Sequence, residues 1–200
     1  MSEEKKLVPI KGIEKLYYAV ITQDTSGGLT YDTPVYLKGV KKVQMSPIYS
    51  EGVYYEESKL AFEEKSLDGY DVVIDITDVK EEDLEKLFGY DLCTEGGYMQ
   101  GGNDVGKEVA LLMKAKKAFG QYRYIILFKG RLTPGEITIE GEEGSPNYQA
   151  QTLAGKFIAT TNTGKIKYTV DSDSPDAHIE DRTFFANVMK PNKKPAPEVA

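Results

Sequence analysis

The chain has 200 residues, 40% of them hydrophobic, enough to bury the core of one domain and too apolar for a disordered polymer. Its formal charge of −7 argues against a general nucleic-acid binder, because such proteins displace counterions from phosphate with Lys and Arg. A lone cysteine, Cys93, excludes an intramolecular disulfide and a cysteine-built zinc site. The start, MSEEKKLVPI, lacks the apolar core of a signal peptide, and no segment has the length to cross a bilayer, so synthesis in a cytoplasm is the simplest expectation.

Short apolar runs separated by Gly, Asn, Asp and Ser clusters have the rhythm of a mainly-β protein. KLYYAVIT (15–22) predicts the first strand, ended by a turn in QDTSGG, and VYLKGVKKVQM (35–45) predicts one or two more. Residues 46–69 form a long acidic segment bearing tyrosines, too polar for core, and are expected to make an arm or extended hairpin with strands near 52–56 and 59–65. YDVVIDIT (70–77) alternates, with Val72, Ile74 and Ile76 inward and Asp71, Asp75 and Thr77 outward. A helix follows over 78–88: Asp78 and Glu81 can make a capping box, Leu84, Leu87 and Phe88 form an apolar stripe, and Gly89 suits the left-handed residue that ends a helix.

After a glycine-rich loop (94–106), KEVALLMKAKKAF (107–119) has a composition that permits a helix, but Val109, Leu111 and Met113 also alternate, and a hairpin with the next strand through a turn at FGQ is the favoured expectation. That next strand, within FGQYRYIILFKGR (119–131), is apolar on both faces at its centre. Strict alternation puts Tyr122, Tyr124, Ile126 and Phe128 on one side and Gln121, Arg123, Ile125, Leu127, Lys129 and Arg131 on the other. A half-exposed strand is polar along one face, so this one needs two covers. Further strands are expected at 135–141, 147–161 and 166–170, a short helix over 178–188, and a loose Pro- and Lys-rich tail beyond. The domain is placed at 12–188, between an amino-terminal extension (1–11) and the tail (189–200).

Residues suited to chemistry are sparse. His178, the one histidine, lies beside Asp176 and Glu180, and Ser172 or Ser174 would have to meet it in a nucleophilic arrangement; a surface residue near a helix start is the simpler reading. Cys93 has no accompanying base and reads as an inert thiol. EGGYMQGGNDVG lacks the Lys-Ser/Thr pair and frame of a phosphate-cradling loop. The acidic runs at 54–57, 62–65 and 140–144 read as solvated surface, since no tryptophan is present to stack a sugar beside a carboxylate pair. No catalytic residue, cofactor or metal is expected, and the chain is not expected to be an enzyme.

Five stretches in order, GIEKLYYAVITQD (12–24), YDTPVYLKGVKKVQMSP (31–47), DVKEEDLEKLFGYDL (78–92), FGQYRYIILFKGRL (119–132) and EGSPNYQAQTLAGKFI (143–158), resemble the major tail proteins of long, non-contractile-tailed bacteriophages, phi-thirteen type. The resemblance spans about residues 10–185. It implies a tail-tube β-sandwich with a flanking helix, assembled as sixfold rings that stack into a conduit for double-stranded DNA. Partners implied are other copies of the chain, a tape-measure protein, a tail terminator and distal tail proteins. The implied location is the virion tail, with the host cytoplasm during assembly, and no membrane is involved. A ring of about two dozen strands would leave a channel wider than a 16–18-stranded porin.

Under this reading Asp71 and Asp75 are candidate acidic residues of the channel lining, repelling phosphate. Tyr49, Tyr54, Tyr55 and Phe62 on the arm are candidates for contacts between subunits or rings. So are Ile125 and Leu127, which would meet either the flanking helix or the next subunit. Two alternatives stand beside it: the tube of a phage-derived injection particle or secretion system, and a monomeric β-sandwich module binding carbohydrate.

Overall fold

The computed structural model describes residues 7–56, 59–137, 139, 150–174, 177 and 179–191, without the side chains of 53–63. The fold is mainly β. Eleven strands and two short helices follow in the order β1 (Ile10–Thr25), β2 (Gly28–Tyr31), β3 (Val35–Tyr36), β4 (Val40–Glu56), β5 (Lys59–Ile76), α1 (Glu81–Phe88), β6 (Asp91–Leu92), β7 (Tyr98–Met99), β8 (Val109–Lys117), β9 (Tyr122–Pro134), β10 (Gln151–Ile158), β11 (Lys167–Asp171) and α2 (Asp181–Phe184). Nine strands make one sheet along the path β2-β1-β8-β9-β10-β5-β4, with β3 also paired to β1 and β11 to β9. Strands β6 and β7 form a separate two-stranded ribbon. Every pairing is antiparallel, as short hairpin connections allow.

The sheet curls until its two halves share one core. Leu16, Tyr18 and Val20 of β1, Val109 and Leu111 of β8, and Ile125, Leu127 and Leu132 of β9 join Val72, Ile74 and Ile76 of β5 and Leu153 and Phe157 of β10. Leu84, Leu87 and Phe88 of α1 complete this cluster, so the amphipathic stripe of the helix packs where the sequence places it. Gly89, at φ 77°, ends α1 in the left-handed conformation, its amide donating to the Glu85 carbonyl. The start differs from expectation. Asp78 spends its carboxylate on the Val79 amide (2.8 Å), and Lys80 stands at the N-cap with no side-chain bond, so helical residues begin at Glu81.

A second cluster lies on the opposite face of β1, β8 and β9. Ala19, Ala110, Leu112, Tyr124, Ile126 and Phe128 are covered by Phe184, Phe185 and Val188 from the carboxyl-terminal segment, with Ile179 and Met189 packed alongside. Both faces of β9 are therefore buried within a single chain. Ile125 and Leu127 share the main core with the flanking helix and offer no surface to a neighbouring subunit.

Alternation along β9 does not hold to its end. Between the pairs Leu111↔Leu127 and Val109↔Gly130, two steps on β8 answer three on β9, a bulge at the residues after Leu127. Leu132 thereby turns into the main core and Arg131 out to solvent, reversing the strict count made from sequence. Beyond the bulge the other edge of β9 changes partner. β11 pairs with Arg123–Leu127 and β10 with Gly130–Pro134.

Three further differences are local. Residues 135–137, expected to open a strand, are irregular, and the rest of that expectation falls mostly outside the described residues. The helix expected over 178–188 contracts to Asp181–Phe184, though Phe184, Phe185 and Val188 are buried. Pairing of β1 begins at Ile10, inside the expected extension, and Met189 still packs on the body.

Gly130 lets the Phe157 ring lie against the β9 backbone: a Cβ there would sit 2.5 Å from two ring carbons and 2.6 Å from the Lys156 carbonyl. Gly130→Ala should lower stability by about 1–3 kcal/mol through overpacking. Gly12→Ala, with nothing within 4 Å of the added carbon, should change it by less than about 0.5 kcal/mol. Urea unfolding midpoints of the two variants check this.

Candidate assembly surface

β4 and β5 make an antiparallel hairpin of 17- and 18-residue strands, paired from Val40↔Ile76 to Glu56↔Lys59. Its proximal part belongs to the body, where Val43 and Met45 pack against the core. From Ser46 to Gly52 the strand is exposed apart from Ile48, as is the returning strand from Glu64 to Asp68. The eleven residues from Ser46 to Glu56 span roughly 35 Å at 3.3 Å per residue.

The described stem is held by its own cross-strand pairs. Tyr49 faces Leu67, both exposed; Ser50 and Ser66 share a 2.7 Å hydrogen bond; and Lys65 lies 2.9 Å from Glu51. An exposed ion pair of this kind contributes little, so the stem presents surface without needing it for the fold. Tyr54, Tyr55 and Phe62 lie beyond, in the part whose side chains are outside the described residues. Among the described strands β4 ends the sheet path, so its outer edge pairs with none of them and offers its backbone donors and acceptors.

Asp71 and Asp75 point outward as their alternation predicts. Their neighbours differ from a uniform acidic lining. Asp71 pairs across β10 with Lys156, itself paired with Arg131, and Asp75 pairs across β4 with Lys42. The face carries carboxylates and cations side by side, with Val73 exposed between the two acids.

The strongest electrostatics lie beneath the carboxyl-terminal cover. Asp171 accepts from Arg123 Nε and a second guanidinium nitrogen at 2.6 and 2.8 Å and from Lys117 Nζ at 3.0 Å, and Lys117 also donates to Asp173 at 3.1 Å. Asp181 accepts from Lys15 Nζ (2.8 Å), Lys114 Nζ (3.0 Å) and the Tyr124 hydroxyl (2.8 Å). Lys114 also stands 3.7 Å from the centre of the Tyr122 ring, in cation–π range. Lys114 and Lys117 are both buried, which sequence reasoning missed: KAKK reads as a strand end reaching water. For Lys117 the signal was the acidic run DSDSPD near the far end of the chain, and for Lys114 it was Glu14 and Asp181, none of which alternation on β8 connects to them.

Elsewhere Asp24 staples two turns together. It accepts from Lys129 Nζ at 2.8 Å and from the Thr161 and Asn162 amides at 2.9 and 3.0 Å. Tyr18 donates to Asp83 at 2.6 Å inside the core, joining β1 to α1. Burial first, and then that bond, push the Tyr18 phenol up.

The residues considered for chemistry do not converge in the described part of the chain. Ser172 Oγ accepts from the Tyr122 amide, Cys93 is half-buried, and His178 lies outside the described residues. Among the described residues no group of three or more His, Cys, Asp or Glu is arranged to hold a metal ion. No helix among them is long and apolar enough to cross a membrane. No protein-family model matches the chain, and no curated protein matches it in sequence.

Burial alone would raise the Asp24 and Asp181 carboxyls, yet their hydrogen bonds outweigh it and hold both down at about 2. Asp171 is held lower still, first by Arg123 and, against the opposing effect of burial, by Lys117. A carboxyl depressed in the folded state adds stability above its unfolded value, near 3.9, and loses it as pH falls toward the folded value. Thermal stability should therefore drop between about pH 4 and pH 2. An Asp181→Asn variant should be less stable at pH 7 and show a shallower acid slope, as calorimetry across that range would read.

Proposed function

We propose that this chain is the structural subunit of a bacteriophage tail tube, with copies closing into rings and stacking into a conduit through which double-stranded DNA passes. The observation that carries the reading is the β4–β5 hairpin. A body with its own core, covered on both faces of its central strand, extends a two-stranded arm tens of ångströms long into solvent, and that arm leaves the edge of β4 open. A long exposed edge invites pairing with another chain, and closing a ring of sheets satisfies such edges without leaving one over. Stacking of rings is head-to-tail, so it propagates until another component stops it. The ordered resemblance of five segments to phage tail proteins supports the same conclusion.

Intersubunit contact falls on the arm. Tyr49 with Leu67 supplies exposed apolar surface on its stem, and Tyr54, Tyr55 and Phe62 lie toward its tip in sequence. Because the face bearing Asp71 and Asp75 is mixed in sign, repulsion of DNA phosphates rests on the −7 charge of the whole subunit more than on a stripe of these two acids.

Concentrated wild-type protein should form hollow tubes visible by negative-stain microscopy. Replacing residues 49–67 with a two-residue Asn-Gly turn should leave a folded monomer, with an unchanged far-ultraviolet spectrum per strand residue and no tubes. Tubes of normal width from the shortened chain would overturn the role given to the arm.

A further inference from the structure

We propose that a lysine-rimmed apolar pocket beside β2 and β11 receives the acidic, aromatic tip of the β4–β5 hairpin from a second copy. The inference rests on the self-assembly reading above and names the receptor for its arm. The cavity has a volume of about 250 Å³, with Leu29, Phe128 and Tyr168 as its apolar part and Lys165, Lys167 and Lys190 around them. Among the described residues no carboxylate lines it.

These three lysines differ from the four that anchor the carboxyl-terminal part of the chain and the Asp24 turn. Lys15, Lys114, Lys117 and Lys129 each meet one or more carboxylates within 3.2 Å. Lys190 instead donates to the Leu29 carbonyl, Lys167 stands 4.2 Å from the centre of the Tyr70 ring, and none of the three has a carboxylate partner among the described residues. In a chain with 32 acidic and 25 basic residues, three cations gathered without an acid around apolar surface suit a ligand that is both apolar and anionic. Carboxylates would take charge-assisted hydrogen bonds from the amines while an aromatic ring fills the cavity.

The hairpin tip has that composition twice: Tyr54-Tyr55-Glu56-Glu57 going out and Phe62-Glu63-Glu64 coming back. The acidic runs at 140–144 and 171–176 contain no aromatic residue. The donor is a second copy because the arm is paired antiparallel out to Glu56↔Lys59, with register shifts at Ile48/Tyr49 and Tyr54/Tyr55, and its described stem is exposed rather than folded onto its own body.

The test uses a fluorescent peptide of residues 52–64 titrated onto the full chain, beside microscopy of the same preparations. Lys165 and Lys167 are exposed, so their joint reversal to Glu leaves the core untouched. Saturable peptide binding is expected, weakened at least about tenfold by the reversal and by 0.5 M salt. Tubes should be lost with Lys165→Glu/Lys167→Glu, lost with Glu56→Lys/Glu57→Lys, and regained when all four changes share one chain. Tubes from the lysine-reversed chain equal to wild type would overturn the pocket inference and leave the tube reading standing. Peptide capture that depends on the lysines, by a chain that never forms tubes, would instead overturn the tube reading and keep the pocket's ligand class. Failure of the four-fold variant to regain tubes, with peptide binding indifferent to the lysines, would also overturn the pocket.

Discussion

Covering both faces of β9 is the constraint on which the remaining architecture depends. A strand apolar on two sides can be buried only if the chain supplies a layer above it and another below. One layer is the curled sheet with α1; the other is a short carboxyl-terminal segment that lays Phe184, Phe185 and Val188 over Tyr124, Ile126 and Phe128. Tyr124 meets Phe184 at a centroid distance of 4.9 Å and Tyr17 stacks on Phe185 at 4.3 Å, so aromatic contacts fix where the segment lies. With those faces satisfied internally, what remains for other molecules is edge, arm and rim.

The cover has little secondary structure of its own, since α2 is four residues long. Its attachment combines apolar burial with carboxylates aimed at fixed cations. Asp171 and Asp181 each take three hydrogen bonds from side chains of β1, β8 and β9. Burying such charges is costly, and the arrangement is tenable because Lys114 finds Asp181 on the cover, Lys117 finds Asp171 at the end of β11 leading to it, and Arg123 grips Asp171 with two donors. Charge pairing therefore sets the position of the segment, and apolar contact holds it there.

Much of the fold was legible in the residues. The 3.6-residue period of Leu84, Leu87 and Phe88 with Gly89 behind it located α1, and the two-residue period of Val72, Ile74 and Ile76 located the inner face of β5. The acidic hairpin was visible as a segment too polar for core and too tyrosine-rich for a plain linker. The limits are equally specific. The β9 bulge inverts Arg131 and Leu132 relative to alternation, and nothing local in YRYIILFKGRL announces it beyond Gly130, whose missing side chain admits Phe157. Lys114 and Lys117 were hidden because their partners lie more than fifty residues away in sequence. The pocket lysines come from a turn, a strand and the segment after α2, which only the folded chain brings together.

The cover also has a place in time. Translation delivers β1, β8 and β9 well before Phe184, Phe185 and Val188 emerge, and domains tend to fold from the amino terminus as they appear. During that interval the nascent sheet presents Leu112, Tyr124 and Ile126 without their cover. A chain halted before Phe184 would therefore keep an apolar, aromatic face open to unspecific association.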